Sequence, residues 1–391
     1  MIDVAKAREA TPGVGNVAHF NNAGASLPSQ GVLSAVVDHL LLEADIGGYE
    51  AAARAADRLA AVYSSAARLL NCSPDEIALV DSATRAWDLA FYAIPWRRGD
   101  RILTSKAEYA SNFIAYLQVA ERHGVRVDVV PNDGLGQISV DALRDMADER
   151  VRLISLTHVP TNGGLVNPAA EVGKVAAEVG ALYLLDACQS VGQLPVDVAR
   201  IGCDLLSTTG RKYLRAPRGT GLLYVRRSAL DRLDPPFLDL HAARWVAPGH
   251  YEVQPGARRF ESWEYGVAAR LGLGGAIDEA LAWGLDDIRD RVYALADHLR
   301  ERLSDLPGCQ VRDQGAERCG IVTFTLDGRP ADELKARLTA RSINVNVSRA
   351  PSTLLDMTDR GLGELVRASV HYYNTEEEVA RLCAVLGEPI Y

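Results

Sequence analysis

The chain predicts an α/β fold: a large domain with a mostly parallel seven-stranded sheet, and a small α+β domain at the C-terminal end. Three observations predict it. From about Ile77 onward, short apolar runs alternate with amphipathic helical patterns, the rhythm of strand–helix crossovers. The runs are continuously apolar, as strands buried on both faces should be. At 391 residues, the chain is too long for one simple core.

Residues 28–70 read as helix, Ala-rich, with Leu and Val at helical spacing and a break at Gly47-Gly48. Seven strand candidates follow at 77–80, 101–104, 125–130, 151–156, 183–185, 205–206 and 222–225. A long helical stretch over 267–305, broken near Gly284, carries the chain into the second domain. That domain has strand candidates at 309–311, 321–326 and 368–371, with a helix over 375–387. The expected division is an N-terminal segment 1–25 that contributes to the small domain and the site, a large domain 26–265, and a linking helix with the small domain over 266–391.

Composition narrows the function. The net charge of -9 and pI near 5.5 give no basic footprint for nucleic acid. The N-terminus lacks the apolar core of a signal peptide, and no run approaches a membrane span. The six cysteines form no CxxC or Cys/His cluster, so no metal site is expected. Reduced thiols fit a cytoplasmic protein. No G-x-G-x-x-G opens a strand–helix unit, which argues against a dinucleotide enzyme.

The chemistry-bearing residues follow successive strands. Ser82-Ala83-Thr84-Arg85 starts a helix after the first; it is either a plain N-cap or a set of donors for a phosphate. Tyr109 follows the second strand and can stack on a flat ring or simply be a half-buried aromatic. Thr161 and Asn162 lie in a turn-rich loop after the fourth. Asp186 ends the apolar run Leu182–Leu185, where a carboxylate is costly unless paired. Lys212 comes 26 residues later, after Thr208-Thr209-Gly210-Arg211. A strand-end Asp with a hydroxyl-lined Lys suits pyridoxal 5′-phosphate (PLP). The Lys forms the Schiff base, and the Asp keeps a proton on the pyridine nitrogen so that the ring can accept electrons.

In this order of motifs the chain resembles the class V aminotransferase family of fold-type I PLP enzymes, a group that includes cysteine desulfurases, isopenicillin N epimerase-like proteins and hercynylcysteine sulfoxide lyases. The likeness runs from Phe20-Asn21-Asn22-Ala23-Gly24 to Val370-His371-Tyr372-Tyr373-Asn374-Thr375 and is most specific over 158–221. It implies Lys212 as the cofactor-bearing residue and general base, and Asp186 on the pyridine nitrogen. It implies Gln189 and Thr161 near the ring hydroxyl, Tyr109 over the ring, and Ala83, Thr84, Thr209 and Arg211 around the phosphate. Ser262 and Trp263 would reach the phosphate of a neighbouring subunit, which implies a homodimer with shared sites. Asn22, Arg349 and Arg367 are the implied substrate contacts, with Arg367 on the α-carboxylate.

Two departures bear on function. Cysteine desulfurases usually carry His where Tyr109 and Arg211 stand; a flat ring and a cation are kept. They also use a Cys nucleophile in the loop before the carboxylate-binding Arg, and here residues 344–353 contain no Cys. Ser cannot act as a sulfur acceptor in its place. The reading is therefore a PLP-dependent lyase on an amino acid, with β-elimination of a cysteine S-conjugate or its sulfoxide favoured. An epimerase, an aminotransferase and a decarboxylating enzyme are the rivals within the class. A non-catalytic PLP-fold protein is the rival outside it, and the retained Lys212 and Asp186 argue against that.

Overall fold

The computed structural model describes residues 1–388. The last three residues of the expected small domain, 389–391, lie outside the described residues. The large sheet has seven strands: β1 (Ile77–Val80), β2 (Arg101–Ser105), β3 (Arg126–Val130), β4 (Val151–Thr157), β5 (Leu182–Asp186), β6 (Leu205–Thr209) and β7 (Gly221–Val225). Their spatial order is β1-β7-β6-β5-β4-β2-β3. Only β7 runs antiparallel to its neighbours. Each strand lies within a few residues of an apolar run in the sequence.

Both faces of the sheet are covered, and β5 demonstrates why the runs are continuous. Leu182 and Leu184 pack into one buried cluster with Leu153, Leu205 and Leu223. Tyr183 and Leu185 point the other way, into a second cluster with Ile154, Leu156, Leu206 and Leu222. With a period of two, a strand buried on both sides needs apolar residues at every position.

A four-stranded antiparallel sheet forms the second layer. Its order is Cys309–Val311, Ile321–Leu326, Glu364–Ser369, Asn346–Arg349. The N-terminal segment joins this end of the molecule: Ala18–His19 pairs with Ile343–Asn344, and Asn21 bridges to Ser369.

Some expectations shift. The stretch 28–70 breaks twice, into helices Gln30–Ile46, Gly48–Arg54 and Ala56–Leu70. The strand expected at 368–371 is Glu364–Ser369, because Arg367 interrupts the apolar run that marks it. The expected loop 344–353 is largely ordered structure, a strand followed by a 3-10 turn at Ala350–Thr353. A hairpin, Ala243–Ala247 with His250–Val253, has no counterpart in the sequence reading. Its side chains are mostly exposed, Trp245 and Tyr251 included, so its apolar residues do not mark a buried strand.

Candidate active site

The C-terminal ends of β1, β2, β4, β5 and β6 open on one cavity. Its lining includes Ala83, Thr84, Tyr109, Thr161, Asp186, Gln189, Thr209, Arg211 and Lys212. Parallel strands place ligands at this edge because each strand hands over to a loop or a helix start there.

Ser82 caps the helix Ala83–Tyr92, accepting from Arg85 N at 3.1 Å. The free N–H groups of its first turn, with the Thr84 hydroxyl, suit an anion. Two glycines allow the close approach. A Cβ on Gly221 of β7 would lie 2.6 Å from the Ser82 carbonyl carbon. One on Gly210 would lie 2.3 Å from the Thr220 hydroxyl oxygen, so the turn carrying Arg211 and Lys212 needs glycine there.

Asp186 is buried, and both carboxylate oxygens are held. Oδ1 accepts from Cys188 N at 3.0 Å, and Oδ2 from Asn112 Nδ2 at 3.1 Å. Burial pushes its carboxyl up, while the Cys188 amide, the charge of Lys212 and the Asn112 amide pull it back. Lys212 moves down, chiefly through burial, with Arg211 and Arg367 adding cationic repulsion and Cys188 and Asp186 opposing it. A lysine so depressed is a better nucleophile and base near neutrality. Cys188 lies within hydrogen-bonding reach of Lys212, and burial pushes its thiol up.

The remaining implied residues fall into two groups. Gln189 donates to Ala23 O at 3.2 Å and keeps Oε1 buried with no partner. Thr209 donates to Thr220 O at 3.2 Å, and Arg211 donates to Gly24 O. Arg367 approaches from the small sheet and donates to Thr161, at 3.3 Å to its carbonyl and 2.5 Å to its hydroxyl oxygen. Ser262 lines a neighbouring groove with Ser82 and Arg85, and Trp263 lies on the surface, half exposed.

Asn22 and Arg349 stand apart from the lining. Asn22 is fully buried, donates to His19 O and Ser369 O, and accepts from the Tyr373 hydroxyl. Arg349 is exposed and pairs with Asp332 at 2.5 Å. Five cavity residues escaped assignment from the sequence: Trp87, Asn112, Thr157, Val159 and Cys188. Asn112 lies one helical turn past Tyr109, and that spacing was the available signal.

The donor set fits PLP. A buried carboxylate faces the cavity, a lysine amine shares it, and a helix N-terminus opens into it. Gln189 Oε1 and Arg367 Nε are buried without protein partners, a state that polar groups rarely keep unless something else completes them. Asp186 would hold the pyridine nitrogen, Lys212 the aldehyde carbon, and Ala83, Thr84, Thr209 and Arg211 the phosphate. Fold and site together define a PLP-dependent enzyme.

The chain belongs to the class V aminotransferase family, whose model matches residues 18–382. A probable cysteine desulfurase of Methanothermobacter thermautotrophicus is 31% identical over 345 residues, covering 88% of this chain and 86% of that protein. Among solved structures, an apo cysteine desulfurase from Thermococcus onnurineus superposes with a TM-score of 0.92 at 24% identity, covering 99% of this chain and 98% of the other. The cystine C–S lyase C-DES, in complex with its product cysteine persulfide, gives 0.87 at 23% identity over 97% of this chain and 99% of that one. The two superpositions establish the fold.

Proposed function

We propose that this enzyme is a C–S lyase that releases sulfur from a cysteine S-conjugate or its sulfoxide by β-elimination. The observation that carries the reading is the contrast within the site. Lys212, Asp186 and Arg367 converge, yet among the described residues the one cysteine lining the cavity is Cys188, whose thiol burial keeps neutral. The stretch 344–353 holds no cysteine. A neutral thiol is a poor sulfur acceptor, whereas elimination needs none. The names of the curated relatives, probable cysteine desulfurases, support C–S cleavage as the class of reaction.

Arg367 binds the α-carboxylate through its planar fork, and Thr161 fixes that fork's direction. Lys212, depressed by burial, takes the α-proton. Bound PLP supplies the ring that accepts the electron pair of the broken Cα–H bond. The Cβ–S bond then breaks, the sulfur leaves as thiolate or sulfenate, and hydrolysis of the residual three-carbon fragment gives pyruvate and ammonia.

The same reading makes the enzyme a homodimer with shared sites, working in the cytoplasm. Helix Gln30–Ile46 exposes Leu33, Val37, Leu40 and Leu41 along one face, and a groove beside it is lined by Leu40, Tyr49, Trp263 and Tyr265. A contiguous apolar face of this kind suits a second copy of the chain. All six cysteines are unpaired, in keeping with a reducing compartment.

The test is to incubate the purified enzyme with amino acids and cysteine conjugates while following keto acid, ammonia and thiol together. Thiol and pyruvate released in parallel support the lyase. Deuterium entering the α-position with inversion and no keto acid would make it an epimerase. Keto acid formed only with a second amino acceptor would make it an aminotransferase.

A further inference from the structure

Behind Asp186 lies a second buried carboxylate that the chemistry above does not use. Glu108 follows β2 and is 3% exposed. Five donors converge on it: Tyr109 N at 2.7 Å, Asn112 Nδ2 at 2.9 Å and the Thr157 hydroxyl on Oε1, and Thr104 Oγ1 at 2.9 Å and the Tyr116 hydroxyl at 3.2 Å on Oε2. The Asn112 amide is shared, its Nδ2 also donating to Asp186 Oδ2 at 3.1 Å. One amide group thus bridges two carboxylates, one in the cavity and one behind it.

This bridge has a fixed sense. An Asn amide presents two N–H donors on one side and an acceptor on the other. With Glu108 and Asp186 both accepting from Nδ2, Asn112 cannot flip to offer its oxygen to either. The two N–H groups on Glu108, from Tyr109 and Asn112, can only donate, so Oε1 stays an acceptor, and the ionised form is the one in which all five groups donate. Burial and the nearby Asp186 push the Glu108 carboxyl up, and the bonds from Thr157, Asn112 and Tyr109 oppose them. Two like charges bridged at this depth are costly unless a cation completes the site.

We propose that Glu108 is a positioning residue for the cofactor nitrogen: it aims Asn112 at Asp186 and places a second negative charge behind it, so that the pair, rather than Asp186 alone, holds the pyridine nitrogen protonated. The inference rests on PLP as cofactor and is independent of which bond the enzyme breaks. The titratable groups facing Asp186 are Lys212 after β6, the Cys188 thiol after β5 and Glu108 itself, while His158 after β4 donates its backbone N–H to Asp186 O at 2.9 Å; Arg211 faces Cys188, and Tyr116 on the helix Ala110–His123 faces Glu108.

The test uses holoenzyme reconstituted with PLP labelled with ¹⁵N at the ring, followed by NMR across a pH series. Glu108→Gln keeps the shape and the N–H acceptor while removing the charge. It should move deprotonation of the ring nitrogen down by roughly one pH unit and raise the PLP dissociation constant several-fold. Asn112→Ala, which leaves the other four donors on Glu108, should shift the titration in the same direction, and it carries the test should Glu108→Gln fail to fold. A merely structural role would lower the melting temperature and leave the ring titration where it was, and that result would overturn the inference. A wild-type protein that takes up no PLP would instead overturn the cofactor assignment beneath it.

Discussion

The Arg367 guanidinium crosses from the small sheet to donate to Thr161, at 3.3 Å to its carbonyl and 2.5 Å to its hydroxyl oxygen, and so ties the small sheet to the loop after β4. Its Nε is buried and has no partner. Burial brings this guanidinium down to about 10, so its charge is retained at neutral pH and lost as pH rises past that value.

Arg367→Ala should therefore lower kcat/KM by about 2–5 kcal/mol, the usual cost of leaving a desolvated carboxylate unpaired. Arg367→Lys should recover part of the binding, because charge returns without the fork. In the wild type, amino-acid affinity measured by spectral titration should weaken as pH approaches 10. Equal affinities in wild type and Arg367→Ala would place the carboxylate elsewhere.

Asp186→Asn should cut turnover by roughly 100-fold or more, since Asn cannot hold a protonated ring nitrogen as a carboxylate does. Circular dichroism should remain native, because Asn keeps an acceptor for one of the two bonds at that position. Near wild-type turnover would make Asp186 structural.

Buried histidines predict how stability depends on pH. Burial takes His158 down to about 4 and His371 well below its ordinary value. Between about 4 and 6.5, unfolded His158 binds a proton that the folded protein refuses. Its contribution is complete above pH 6.5 and falls away by roughly 3 kcal/mol as pH drops toward 4. Urea unfolding at pH 7 and pH 5 measures this slope. His158→Leu should flatten it, and an unchanged slope would clear His158 of the effect.

The strand ends were legible in the sequence because a doubly covered sheet writes each strand as an unbroken apolar run, and the residues that line the cavity lie at or just past the ends of those runs. Asp186 and Lys212 stood out for that reason. The Glu108–Asn112 bridge was hidden, since a Glu and an Asn at a helix start read equally well as capping residues. Asn22 and Arg349 show a different limit. Both lie close in sequence to site-forming segments, but the N-terminal turn directs Asn22 into backbone bonds, and Arg349 is exposed on a strand beside Asp332. Which face a side chain takes follows from strand pairing, which a single sequence does not specify.

A shared site predicts complementation. Lys212→Ala alone and a Ser262→Ala/Trp263→Ala double variant alone should be weak, while mixing them should restore part of the activity through hybrid dimers. No gain on mixing, or a fully active monomer by sedimentation, would remove the shared site.

If sulfur leaves without help from a protein thiol, the reaction survives Cys188→Ala. Supplied with a cysteine S-conjugate, this variant should release thiol and pyruvate in equal amounts at a rate within a few-fold of wild type, because Cys188 contributes only a contact to Lys212. Loss of release in the variant, together with a disulfide between Cys188 and the conjugate's sulfur, and alanine in place of pyruvate, in the wild-type enzyme would overturn this reading.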